Sequence, residues 1–192
     1  MQRTQRANSL SEIAEALAQG NKRAAEDKAR RDFSWKASET KRVGIPAARA
    51  LKVFLRDRFV DRYSGSRLVF PGALLALGRL LPECFPIHPT WKAGQSHDIF
   101  WELWPVVDHV HPVARGGPHD ESNFVTTSTF NNVAKGNALL SEIGWLLLPC
   151  PSPEETWDGL IGWFRRITAA HPELLSDRQI KAWNNALRKV AF

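Results

Sequence analysis

Cysteine is scarce in this chain: two residues in 192, Cys84 and Cys150, neither in a CxxC pair. That scarcity excludes a disulfide framework and a zinc site built mainly from thiolates. A single bridge between the two would be unusual in a reducing compartment. Long apolar runs are also missing. The longest, such as Trp145 to Leu148, are far too short to span a bilayer, so no membrane association is expected. The first residues, Met1 to Arg6, are polar and basic with no apolar stretch behind them. They do not read as a secretory signal, and the expected location is the cytoplasm. No internal repeat or low-complexity tract is present.

What the chain does have is enough apolar material for a core. Hydrophobic residues make up 43%, which argues against wholesale disorder. Its formal net charge is +6, and the distribution says more than the total. Residues 1–62 hold 15 Lys+Arg against 8 Asp+Glu, whereas residues 63–192 hold 11 against 12. The basic excess therefore sits wholly in the first third. It suits an arm or face that meets a polyanion, or equally a well-solvated helix pair.

Local patterns divide the chain into a basic helical region (1–62), a central core with an irregular lead-in (63–150) and a C-terminal helical pair (151–192). Ser9 with Glu12 three residues on reads as a capping box opening a first helix, and Gly20 offers its stop. Residues 21–41, charged and Ala-rich with Phe33 and Trp35 as anchors, read as a second helix. A third spans Ala47 to Arg58, with Ala50, Leu51, Phe54 and Leu55 on one side. The Gly- and Pro-rich stretch 63–98 predicts a short strand at Leu68–Phe70 and a helix from Ala73 to Leu81. Near the C-terminus, Ser152-Pro153-Glu154-Glu155 predicts a helix start ahead of Trp157, Leu160, Ile161 and Phe164. Ser176 to Gln179 predicts another ahead of Ile180, Trp183, Leu187 and Val190.

Between these flanks lies the segment that carries chemistry. Val106-Val107 is a β-prone run ending on Asp108-His109, and Arg115-Gly116-Gly117 forces a loop. Phe124 to Thr127 is a second β-prone run. Ser128 to Leu140 then predicts a helix with Phe130, Val133 and Ala134 facing inward. Asp-His-x-x-Pro-x-x-x-Gly-Gly, an Asn opening a strand, and Asn-x-x-Lys-Gly-Asn on a helix together resemble the HNH (ββα-metal) endonuclease family. The resemblance covers Val106 to about Leu140, under a fifth of the chain. Asn123 falls 15 positions after Asp108 and Asn132 falls 24 after it, spacings familiar from that family. Many members carry two CxxC pairs around a structural zinc. Here Ser128 and Asn131 occupy the places of one pair and no upstream pair exists. The resemblance thus implies a zinc-free branch, with Phe100, Trp101, Trp104 and Trp145 as a packing substitute.

The fold expected from this resemblance is α+β: a ββα-metal nuclease core surrounded by N- and C-terminal helices. The chemistry of the residues agrees. Phosphodiester hydrolysis needs a deprotonated water and a cation on the phosphate oxygens. His109 suits the base, since imidazole titrates near neutrality. Asp108, on the opposite side of the strand, suits a metal ligand, with Asn132 as a second oxygen donor. That oxygen-only set favours one Mg²⁺ or Mn²⁺ completed by waters. Asn131 is the alternative ligand, because a small shift in helix phase decides between the two. By analogy with the family, Asn123 binds backbone across the loop and fixes His109. Arg115 and Lys135 are candidates for gripping phosphate. His111 and His119 carry weaker assignments, His111 reading as a loop residue that touches DNA or as a solvated side chain. The remaining Trp residues read as core rather than base-stacking platforms.

The expected activity is metal-dependent DNA cleavage, in a restriction or phage-defence enzyme or in a phage or mobile-element nuclease. RNA stays open as substrate, and cutting both strands would need a homodimer or two binding events. The first rival is a non-catalytic nucleic-acid-binding protein that keeps the HNH fold. The second is a metal-free module whose basic helices bind an acidic partner, which leaves the ordered motif unexplained.

Overall fold

The computed structural model describes residues 3–33, 44–92, 94–152 and 154–190. It is α+β and mostly helical, with one small antiparallel sheet. Two compact units divide the chain, Met1–Lys41 and Arg42–Phe192. The boundary expected after residue 62 does not coincide with this division, because the helix after Pro46 packs into the second unit's core.

In the first unit α1 (Arg3–Ala18) and α2 (Lys22–Asp32) form a hairpin. Ser9 lies inside α1, so the expected capping box does not open it. The turn at Gly20 (φ +76°) does end it. Asn21 starts α2 by accepting from the Ala24 N–H. Lys28 then ties the pair, at 2.7 Å from Glu12 and 3.1 Å from Asp32. The part of the expected second helix beyond Phe33 lies outside the described residues.

The second unit is built around α3 (Ala47–Arg56), α4 (Pro71–Leu80), α8 (Ile161–Ala170) and α9 (Arg178–Val190), with a one-turn α7 (Leu140–Ile143) ahead of α8. Leu51 and Phe54 of α3, Leu74 and Leu75 of α4, Phe164 of α8 and Ile180 of α9 share one core. Phe70 is its hub, with Phe164 5.1 Å and Trp183 5.8 Å away edge-on. The C-terminal helices are therefore part of the main core and not a separate pair.

Two helix starts differ from the pattern in the sequence. Residues 154–160 are not helical. The α8 start is held by Asp158, whose carboxylate accepts from the Leu160 and Gly162 N–H groups; Pro153 lies outside the described residues. Asp177, not Ser176, starts α9 by accepting from the Gln179 and Ile180 N–H groups. Leu68–Phe70 is extended but joins no strand. Its three N–H groups go to Phe59, Leu103 and Gly159, on three separate segments.

The sheet pairs β1 (Pro105–His109) with β2 (Phe124–Ser128), so that Asp108 faces Val125 and His109 faces Phe124. A two-stranded sheet is marginal alone. Here the other edge of β2 is covered by the segment after α3. Asp57 accepts from the Thr126 N–H, the Arg62 N–H bonds the Thr126 carbonyl, and Asp61 accepts from the Ser128 N–H. Asp57 and Asp61 are both fully buried. Below the sheet, α5 (Ile99–Glu102) brings Phe100 and Trp101 to Trp91, and Trp104 lies 4.5 Å from Trp91. Trp145 stands apart from this cluster and packs 5.6 Å from Tyr63. Among the described residues no helix is long and apolar enough to cross a membrane.

Candidate active site

The site grows from the end of β1 and the helix that follows β2. That helix, α6, is Thr129–Lys135, shorter than the sequence pattern suggests, and Gly136 (φ +54°) ends it. The Ser128 side chain starts it by accepting from the Asn131 N–H. Its orientation reverses the sequence expectation: Phe130, Val133 and Ala134 are exposed, and Lys135 is buried. The cause is two polar anchors. The Asn131 side chain donates to Asp61 at 2.9 Å, and the Lys135 ammonium lies 2.9 Å from Asp108 Oδ2. Buried charge and amide find partners on that side, so the apolar side of this short helix is left facing outward.

Asp108 is a buried carboxylate held from two directions. Beside Lys135, the Tyr63 hydroxyl donates to the same Oδ2 at 2.6 Å. Burial, then the Asp108 charge, pushes the Tyr63 phenol far above its ordinary range, so it stays protonated and donating. Lys135 also donates to the His109 carbonyl at 2.8 Å. One cation thereby ties Asp108, the His109 backbone and α6 together. Its side chain is 0% exposed, which places it as a brace inside the site and not as a surface grip on phosphate.

His109 lies on the other side of the strand, as the pleat requires. Its ring meets Phe124 edge-on at 4.9 Å and stacks against His119 at 5.1 Å. His109 Nε2 and His119 Nδ1 are 3.0 Å apart. Burial, followed by the nearby charge of His119, lowers the His109 pKa, and Lys135 and Arg49 add to this against the pull of Asp108. Near neutral pH the imidazole is therefore the uncharged form that can accept a proton.

The loop between the strands is fastened by Asn123. Its side-chain oxygen accepts from the His111 N–H, and its amide donates to the His111 and Pro118 carbonyls, each at 2.8 Å. A side chain on Gly117 would run into the His111 carbonyl, so the chain needs glycine where these strands of loop touch. We expect Gly117→Ala to leave the α-helical circular dichroism intact. His109 and His119 resonances should shift as the loop is forced open; unshifted resonances would show that the loop tolerates the extra carbon.

The two asparagines of α6 have different roles. Asn131 is committed to Asp61, whereas no described residue hydrogen-bonds the Asn132 side chain. Asn132 shares a side of the helix with Lys135, one turn on. Asp108 Oδ1 likewise has no hydrogen bond to a described residue. Arg115 is half-exposed and pairs with Glu142 at 2.7 Å. Among the described residues no group of three or more His, Cys, Asp or Glu could hold a metal ion. Asp108 and Asn132 each offer an oxygen of the kind a hard cation takes alongside its waters. Comparisons with protein families, curated proteins and solved structures return no match.

Two participants are silent in the sequence, and a third, His119, carries only a weak signal there. Tyr63, the one tyrosine of the chain, meets Asp108 45 residues on, and Asp61 meets Asn131 70 residues on. Neither pairing follows from local spacing. His119 is part of a loop whose path is set by Asn123.

Proposed function

We propose that this chain is a metal-dependent DNA endonuclease of the HNH type, hydrolysing phosphodiester bonds with one divalent ion. The observation that carries the reading is the half-buried His109 at the end of β1, its pKa lowered by burial, back to back with the Asp108 carboxylate. A strand–loop–strand–helix sequence of elements surrounds the pair, in the order the HNH resemblance implies. His109 takes the proton of the attacking water. Asp108 Oδ1 and the Asn132 amide oxygen would hold Mg²⁺ or Mn²⁺, which stabilises charge on the phosphate oxygens when bound. Lys135 and Tyr63 fix the Asp108 carboxylate. Arg115, released from Glu142, reaches a phosphate, and the basic residues 1–62 add sequence-independent affinity for the backbone. A restriction or defence role fits such an enzyme, and double-strand cutting calls for a homodimer or two binding events.

The non-catalytic alternative, a nucleic-acid-binding protein of HNH shape, is favoured by one observation. Lys135 already neutralises Asp108 Oδ2, as it would in a site that needs no metal. Metal titration separates the two. We expect Mn²⁺ to bind the wild type and Asn132→Ala to weaken that binding by at least about tenfold, by analogy with the sensitivity of metal sites to lost partners. Its melting temperature should be unchanged. Asn131→Ala should do the reverse, keeping the Mn²⁺ affinity and losing about 1–3 kcal/mol of stability because Asp61 is left short of a donor. Mn²⁺ affinity indifferent to Asn132 and Asp108 would favour the non-catalytic reading.

A further inference from the structure

The nuclease reading gives His109 a role but not a reason for its ring to be in the form a base requires. An imidazole can accept a proton only at the nitrogen that carries none, so the tautomer matters as much as the charge. Around His109, one ring nitrogen, Nε2, lies 3.0 Å from His119 Nδ1, and no described residue bonds the other. Both rings stand edge-on to the buried Phe124, at 4.9 Å and 5.2 Å, so their relative placement is fixed by a common wall. The peptide just before His119 is pinned in turn, because Asn123 donates to the Pro118 carbonyl.

We infer that His119 is a positioning residue, which holds His109 in the Nε2–H tautomer and leaves the Nδ1 lone pair to the water. This rests on the nuclease reading of the site. The hydrogen bond between the rings has one proton and two assignments. If His119 Nδ1 carries it, neutral His109 must be protonated at Nδ1 and has no free nitrogen for a substrate water. If His109 Nε2 carries it, His109 Nδ1 is free, and His119 is protonated at Nε2. That His119 Nε2 is buried with no partner among the described residues. It lacks that partner in either assignment, so the choice between them rests on His109 keeping a free nitrogen for the water. The family analogy has Asn123 fix His109; here that influence runs from Asn123 through the Pro118 carbonyl and the His119 ring.

The test combines nitrogen-15 NMR of the metal-free protein with cleavage kinetics. Two-bond correlations should show His109 as Nε2–H in the wild type and as a mixture of tautomers in His119→Ala. In cleavage, His119→Ala should lower kcat about tenfold to a hundredfold with KM for DNA unchanged, as losses of an orienting partner do. His119→Asn places an amide oxygen near the former Nδ1 and should recover most of kcat. His119→Gln, whose polar atoms match Nε2, should not. An Nδ1–H tautomer in the wild type would overturn the inference, and so would full activity in His119→Ala. A loss in KM alone, or no recovery in a folded His119→Asn, would also count against it. A wild type that cuts no DNA would sink the nuclease reading instead, and the tautomer assignment would then decide the role of His119 alone.

Discussion

Replacing His109 with alanine is expected to abolish DNA cleavage while leaving DNA affinity nearly unchanged. A positioned general base contributes about 10²- to 10⁴-fold, and His109 is the imidazole that follows Asp108 at the end of β1. The ring's contacts are with Phe124 and His119, and the tie between β1 and α6 uses the His109 backbone carbonyl, which alanine keeps. The scaffold should therefore survive. Initial rates on plasmid DNA, set beside mobility-shift titrations, measure the two effects separately. Loss of binding together with activity would show that His109 is structural and would remove the base from the mechanism.

The largest effect on stability is expected at Asp57, on the edge of β2 that faces away from β1. This carboxylate is fully buried and takes hydrogen bonds from Arg56, Arg62 and the Thr126 N–H. Burial alone would raise its pKa. The bonds from Arg56 and Thr126, with the charges of Arg56 and Arg62, more than offset that and hold it below the usual carboxylate value of 3.8. Removing one member of a buried pair strands the other, so Asp57→Ala should cost about 3–5 kcal/mol. For a unit of this size that is on the order of 10 °C in Tm. Asp57→Asn keeps an acceptor for Thr126 but not the charge and should fall between. The sign of the pH effect follows: a depressed folded pKa means stability that is present above 3.8 and lost as pH falls through the lower folded value. Wild-type stability should thus decline below pH 3.8 more steeply than that of Asp57→Asn, as urea titrations at several pH values would show. Equal slopes would mean that the pair contributes nothing.

Much of the fold was legible because its signals are local. Apolar spacing marks α3, α4 and α9, and the β-prone runs before His109 and after Asn123 mark the two strands. Reading failed where a distant partner outvoted a local pattern. Phe130 and Val133 look like an inward face, yet Asp61 and Asp108 draw Asn131 and Lys135 inward instead. Ser152 looks like a helix start, yet Asp158 holds the real one. The same distinction divides the site. Asp108, His109, Asn123 and Asn132 are announced by one continuous motif, whereas Tyr63 and Asp61 are brought to it only by folding. Asp57 could not have been singled out at all, because one acidic residue after a helix gives no sign that it will end up buried beneath a strand.

Incubating the purified full chain with supercoiled plasmid in Mg²⁺, in Mn²⁺ and in EDTA separates a metal-dependent nuclease from a binding protein. A nuclease gives nicked or linear product with either ion, none in EDTA, and recovers when the ion is restored in excess. Retarded but uncut DNA under every condition would contradict the nuclease reading and leave a nucleic-acid-binding protein of similar shape.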